Sequence, residues 1–252
     1  MNIAVITGAS SGMGAYFAEW TDKLRSDIDE IWLIARREEK LKSVAEKINK
    51  KVKIIPLDIT QKESYTAFSK LLESEKANVR ILINNAGYGK LGVFDEIQNE
   101  DNIGMLRLNC EALTVMSSIT LPFMTKGAEI INSCSIASFA PNTRMAVYSS
   151  TKAYVLSLSR AMREELKQRE INVLAVCPGP MDTEFLGVAG IKKGKSRTFD
   201  TLPRVNPSVI AKKSIIASER KKAVYTNRLF YKFYRLLAKL LPHSIVMKLC
   251  GT

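Results

Sequence analysis

Six short runs of apolar residues, at positions 3–7, 31–35, 52–57, 79–83, 128–133 and 172–177, recur along the chain with helix-like stretches between them. Each run is dominated by consecutive apolar residues rather than a strict alternation, so a strand built from it must be covered on both faces. Strands of that kind separated by helices predict a parallel sheet with helices on either side, a doubly wound α/β fold. Helical character begins at Ala15, recurs in the charged segment ending at Lys50, and returns over Glu63–Glu73, Asn102–Lys126 and Tyr148–Gln168, with Thr60 placed to cap the third of these. No internal repeat, low-complexity segment or interdomain linker interrupts the pattern. In such a sheet ligands bind outside the carboxyl ends of the strands, so the residues just after each run are the ones to read for chemistry.

After the first run comes Gly8-Ala-Ser-Ser-Gly12-Met-Gly14, opening the first helix. Missing side chains there let backbone N–H groups and a helix N-terminus approach a pyrophosphate. The second run ends in Ala35, Arg36 and Arg37, with no acid. An Asp or Glu at that point would hold a ribose hydroxyl, whereas an arginine accommodates a 2′-phosphate, so NADP(H) is favoured over NAD(H). Asp58, after the third run, is either an acceptor for an adenine amino group or a helix-entry residue. Ser135 follows the fifth run, Tyr148 stands thirteen residues further on, and Lys152 four beyond that. If a helix begins near Tyr148, that last step stacks phenol and ammonium on one face at about 5–6 Å between Cβ atoms. The cation is then expected to pull Tyr148 below the ordinary phenol value of about 10.

Length, charge and cysteines exclude other classes. The 252 residues suit one domain, or at most two. No apolar window is long enough for a transmembrane helix, and the N-terminus enters an apolar run directly, so a signal peptide is not expected. Cys110, Cys134, Cys177 and Cys250 show no paired spacing and read as reduced packing residues of a cytoplasmic protein. A single histidine, His243, leaves no basis for a zinc site or a Ser-His-Asp triad; no metal site is expected. The net charge of +13 is confined to the end of the chain: from Ile191 onward 15 lysines and arginines face 2 acids, and the residues before it balance.

Thr7-Gly8-x-x-x-Gly12-x-Gly14, Asn84-Asn85-Ala86-Gly87, Asn109, Ser135, Tyr148-x-x-x-Lys152 and Pro178-Gly179, in that order, resemble the short-chain dehydrogenase/reductase family over residues 3 to about 185. The resemblance implies a Rossmann-type sheet of about seven strands, the last near Ala223-Val-Tyr225, and a catalytic domain over 1–226. It further implies that Tyr148 is the acid or base for hydride chemistry at a carbonyl, that Ser135 holds the carbonyl oxygen, and that Lys152 binds the nicotinamide ribose and lowers the Tyr148 pKa. Asn109 would anchor a water relaying protons to Lys152. Thr7, Gly8, Ser10, Ser11, Gly12, Met13, Gly14, Arg36, Arg37, Asp58, Ile59, Asn85, Ala86, Gly87, Pro178, Gly179 and Thr183 would join Tyr148 and Lys152 in binding the cofactor, with the 2′-phosphate resting chiefly on Arg36; Asn84 would be mainly structural. Met145, Met181, Phe139 and Phe185 would line a greasy pocket under a loop at 184–205. The reading is thus an NADP(H)-dependent oxidoreductase for a hydrophobic ketone, aldehyde or alcohol, a homodimer or homotetramer that does not bind nucleic acid. Its rival is a cofactor-binding scaffold or regulatory protein without turnover.

The last segment, 227–252, is basic and amphipathic. Leu229, Phe230, Phe233, Leu236, Leu237, Leu240 and Leu241 form an apolar stripe, with Lys232, Arg235 and Lys239 opposite and Pro242 closing it. Two readings are open: a helix packed on the protein's own pocket or a partner subunit, or a peripheral contact with a membrane interface.

Overall fold

Each apolar run forms a strand and each gap holds at least one helix. The computed structural model describes residues 1–192, 194 and 196–249. In chain order the elements are β1 Asn2–Thr7, α1 Gly12–Leu24, β2 Glu30–Ala35, α2 Glu38–Ala45, β3 Lys51–Pro56, α3 Lys62–Ser74 and β4 Asn78–Asn84. There follow α4 Asn99–Leu106, α5 Leu113–Thr120, β5 Glu129–Ser133, α6 Ala146–Glu165 and β6 Asn172–Val176. The chain ends with α7 Glu184–Val188, α8 Arg197–Thr201, α9 Pro207–Glu219, β7 Val224–Tyr225, α10 Leu229–Leu240 and α11 His243–Leu249.

The seven strands are all parallel and lie in the order β3-β2-β1-β4-β5-β6-β7. Successive side chains of a strand point to opposite faces, and β1 shows why its run had to be continuous. Ala4 and Ile6 enter one core with Phe17 of α1 and Ile215 of α9. Ile3 and Val5 enter the other with Phe68 of α3 and Met116 of α5. Strand order reverses between β1 and β4, which opens a crevice at their carboxyl ends.

Local departures from the predicted elements have identifiable causes. α2 stops at Ala45 rather than running to Lys50, where Asp22 accepts from the Lys50 backbone and Asn49 side chain and ties the segment down. β3 is an edge strand, half-buried despite its apolar run. Thr60 does not cap α3; Gln61 occupies that position, while Thr60 donates its hydroxyl to Asp58 Oδ1 at 2.8 Å. The predicted helix from Asn102 to Lys126 is divided into α4, a wide π-helical turn over Arg107–Ala112, α5, and a 3-10 turn ending at Phe123. π turns inside helices recur at functional positions, and this one carries Asn109.

Candidate active site

The cleft is floored by the turn after β1. Gly8 has φ +65°, and a Cβ there would lie 2.7 Å from the Ala86 Cα. A Cβ on Gly14 would lie 2.2 Å from the Gly8 carbonyl oxygen. The turn can therefore close only without those side chains, and in closing it presents the N-terminus of α1 to the cleft, as an anion-binding end. Thr7 stands behind the turn: its hydroxyl donates to the Ile83 carbonyl and accepts from the backbone N–H groups of Asn85 and Ala86 at 3.0 and 3.1 Å. Asn85 in turn donates to the Gly8 carbonyl and accepts from the Ser133 hydroxyl. Asn84 is buried and donates to Ser117 and Asn132, both at 2.9 Å, so it ties β4 to α5 and β5.

Ser135, Tyr148 and Lys152 converge at the carboxyl end of β5. α6 begins at Ala146, two residues before Tyr148, and buries both Tyr148 and Lys152. The Lys152 ammonium donates to the Ser133 carbonyl at 2.8 Å and lies 5.8 Å from the centre of the Tyr148 ring. A Cβ on Gly87 would lie 2.8 Å from Asn109 Oδ1 and 3.4 Å from Lys152 Nζ, so both groups face the same point of backbone. Asn109 itself accepts from Tyr88 N and donates to the Tyr88 carbonyl and the Thr151 hydroxyl. Its amide is thus spent on holding the β4 loop against α6.

The expected lowering of the Tyr148 pKa is not what this arrangement produces. Burial pushes the Tyr148 phenol well above its ordinary value, with a hydrogen bond from Ser135 opposing the rise. Burial also pushes the Lys152 ammonium below its ordinary value. Desolvation disfavours the charged form of each group, and the lysine charge is directed at a carbonyl of β5 rather than at the phenol oxygen.

At the carboxyl end of β2, Arg37 rather than Arg36 carries the partners. Its Nη2 donates to the hydroxyls of Ser10 and Ser11, both at 3.0 Å, and to Glu184 Oε2 at 2.8 Å. Lys40 also pairs with Glu184. Held by Lys40 and then Arg37, the Glu184 carboxyl sits at about 2. Two cations and the Ser11 hydroxyl thus meet one oxyanion, a side chain of α7.

A cleft of about 1270 Å³ joins these groups. It is lined by Gly8, Ser10, Ser11, Gly12, Met13, Arg36, Arg37, Asp58, Ile59, Asn85, Ala86, Gly87, Ser135, Tyr148, Lys152, Pro178, Gly179 and Thr183. Thr7, Gly14 and Asn109 do not line it; they shape the walls from behind. Asp58 does line it, with its Oδ1 accepting from the Thr60 N–H and hydroxyl. Met145, Met181 and Phe185 reach the cleft, and the Phe185 ring lies 5.5 Å from that of Tyr148. Phe139 does not; it packs against Tyr234, 5.9 Å away, in a separate core.

Several lining residues were not singled out in the sequence. Tyr88 and Asn142 have no motif of their own, although Tyr88 follows the Asn-Asn-Ala-Gly segment directly. Tyr231 and Tyr234 come from α10, where the tyrosine spacing, interleaved with the leucine stripe, was the only available signal. Cys110, Cys134 and Cys177 are free, as expected; Cys250 lies outside the described residues.

The sequence pattern of short chain dehydrogenases matches residues 2–193. An uncharacterized oxidoreductase of Staphylococcus epidermidis is 30% identical over 183 residues, 72% of this chain and 78% of the relative. A short-chain dehydrogenase from Sphingobium yanoikuyae in complex with NADPH superposes with a TM-score of 0.80 at 29% identity, over 95% of this chain and 94% of that one. A bulky-bulky ketone specific alcohol dehydrogenase from Comamonas testosteroni superposes with a TM-score of 0.75 at 26% identity, over 94% and 90% of the two chains.

Proposed function

The chain belongs to the short-chain dehydrogenase family, and from that premise we propose that it interconverts a hydrophobic ketone or aldehyde and its alcohol with NADP(H), using Tyr148 as acid and base. The observation that carries this reading is the convergence of Ser135, Tyr148 and Lys152 beside a glycine turn that only a missing Cβ permits. The turn, the α1 N-terminus and the basic constellation at Arg37 fit a dinucleotide bearing a further phosphate, the chemistry expected of a cation pair flanked by hydroxyls.

When bound, the reduced nicotinamide supplies the hydride. Tyr148 gives its proton to the carbonyl oxygen, a role for which burial keeps the phenol protonated. Ser135 donates to the same oxygen and stabilises the charge that grows on it. Lys152 holds the cofactor ribose, and Asn109 positions Lys152 by fixing the loop between them. Met145, Met181 and Phe185 give the pocket apolar walls, which select by shape. The specificity of the Comamonas relative for bulky-bulky ketones supports a bulky substrate. The family's habit supports a homo-oligomer.

A panel of hydrophobic ketones, followed by loss of NADPH absorbance, tests the reading: turnover of bulky ketones is expected, and a panel without turnover in either direction would favour the scaffold alternative. Cofactor choice has its own test. Replacing Arg36 and Arg37 together by alanine is expected to raise KM for NADPH about tenfold or more over that for NADH, the scale set by a charge-assisted hydrogen bond of about 1.5–3 kcal/mol; equal changes for the two cofactors would remove the argument from the second strand. Glu184 supplies the converse case, since its carboxylate occupies the same cations. Glu184→Gln is expected to tighten NADPH, measured by fluorescence titration, by about two- to fivefold, within the ~1 kcal/mol of an exposed ion pair, and to leave NADH unchanged.

A further inference from the structure

Most of the apolar stripe of α10 faces away from the protein, although Phe230 also reaches the cleft. Leu229, Phe233, Leu236 and Leu240 follow one another at helical spacing and form a single ridge. They are 82%, 59%, 51% and 69% exposed, and Phe230 beside them is 54% exposed. The opposite side of the helix is the one that packs. Tyr231 is buried against Gly179 and donates its hydroxyl to the Pro203 carbonyl at 2.7 Å, Ala238 is buried, and Tyr234 meets Phe139. The helix thus packs on the protein's own cleft through its tyrosine side, as the first sequence reading has it, while the ridge of Leu229, Phe233, Leu236 and Leu240 is left exposed. Large contiguous apolar faces left in water mark an interaction surface.

Beside the ridge runs a row of cations. Lys232, Arg235 and Lys239 share one flank of the helix, and no described carboxylate pairs with any of them. The chain from Ile191 onward carries 15 basic residues and only Asp200 and Glu219 as acids. A second copy seated on this face about a twofold axis would set that row of cations near its own image, since a twofold interface matches a patch to itself. An anionic bilayer is complementary on both counts: its acyl boundary accepts the leucine and phenylalanine ridge, and its headgroups attract the cations. No helix among the described residues is long and apolar enough to cross a membrane, so the contact is one that lies on the surface.

We propose that the outward face of α10 docks the protein on an anionic lipid surface. The inference is independent of the reaction assigned above, but the two fit together. Phe230, Tyr231 and Tyr234 of this helix also line the catalytic cleft, so docking sets the cleft beside the apolar layer from which a greasy substrate would come.

The test is flotation of the full-length protein with vesicles of phosphatidylcholine alone and of phosphatidylcholine mixed with phosphatidylglycerol. At least tenfold more protein is expected to float with the anionic vesicles, with part of the binding lost in high salt. Phe233→Glu/Leu240→Glu, at two exposed positions, is expected to lower that binding at least tenfold without changing the thermal midpoint. Replacing Lys232, Arg235 and Lys239 by glutamine is expected to abolish the preference for phosphatidylglycerol. Failure of the wild type to float with anionic vesicles would overturn the proposal, as would equal flotation of the glutamate variant. If instead the wild type ignores both vesicles and sediments as an oligomer that the glutamate variant splits, a second copy covers the face and the lipid assignment is wrong.

Discussion

Tyr148→Phe is expected to lower kcat for carbonyl reduction by about 10²–10⁴-fold, the usual contribution of a positioned acid, while the dissociation constant for NADPH stays nearly constant. The substitution removes one oxygen and keeps the ring. That ring is buried and tilted against Phe185 at 5.5 Å, and a Cβ on Gly89 would come within 2.7 Å of it, so phenylalanine retains the packing that shapes the pocket. What goes is the proton donor. Stopped-flow reduction set beside a fluorescence titration of NADPH separates the two effects, and unchanged turnover would refute the catalytic assignment. Equal loss of turnover and of NADPH affinity would mean that the ring, not the proton, was the contribution.

The pH profile follows from the same burial. A phenol held above its ordinary value stays protonated through the neutral range, so the reductive rate is expected to be flat there and to fall only in alkali. Oxidation of the alcohol needs the phenoxide, and its rate is expected to climb with pH over the same interval. A reductive rate that fell across neutral pH would show that something in the loaded cleft, such as the nicotinamide charge or a redirected Lys152, offsets desolvation.

Tyr148 also shows where reading the chain runs out. Its spacing to Lys152 predicts that the two share a helix face, because helical geometry is local and periodic, and α6 delivers that. Whether the charge or the burial controls the proton depends on which oxygen the ammonium faces, and Lys152 faces the Ser133 carbonyl, supplied by another strand. The parallel sheet was legible for the same reason as the helix face: a continuous apolar run has only one way to be covered on both sides. The basic cluster beside β2 was half legible, through Arg36 and Arg37, but Glu184 reaches Arg37 from 147 residues away, and no local pattern announces that encounter. Nor did the amphipathic stripe of α10 say which way it points. Periodicity gives a face, and only the tyrosines on the other side decide what that face meets.

The largest stability effect should come from another long-range pair. Arg25, just after α1, looks in the sequence like a surface charge in Asp22-Lys-Leu-Arg-Ser-Asp27, and Glu129 looks like the polar edge of an apolar run. In the fold both are 5% exposed, and Arg25 Nη1 donates to Glu129 Oε1 at 2.6 Å, while its other nitrogens hold Asp27. Removing one partner of a buried pair strands the other charge, a loss of about 3–5 kcal/mol. Arg25→Leu is therefore expected to lower stability by that amount in urea denaturation at neutral pH. Glu129 then fixes the pH dependence. Burial already holds its carboxyl above the ordinary carboxylate range, with Arg25 opposing the rise. A group whose folded pKa is raised contributes stability that is present in acid and is lost as pH rises through that pKa. Without Arg25 the pKa climbs further, so the deficit of the variant should be greatest at neutral pH and should shrink toward acid, where protonation of Glu129 removes the stranded charge. The double variant Arg25→Leu/Glu129→Leu is expected to recover most of the loss, since apolar replacement of a whole buried pair is often neutral or better. A deficit that did not change with pH, or a double variant no more stable than the single one, would mean that Arg25 acts through Asp27 and the end of α1 and not through the buried carboxylate.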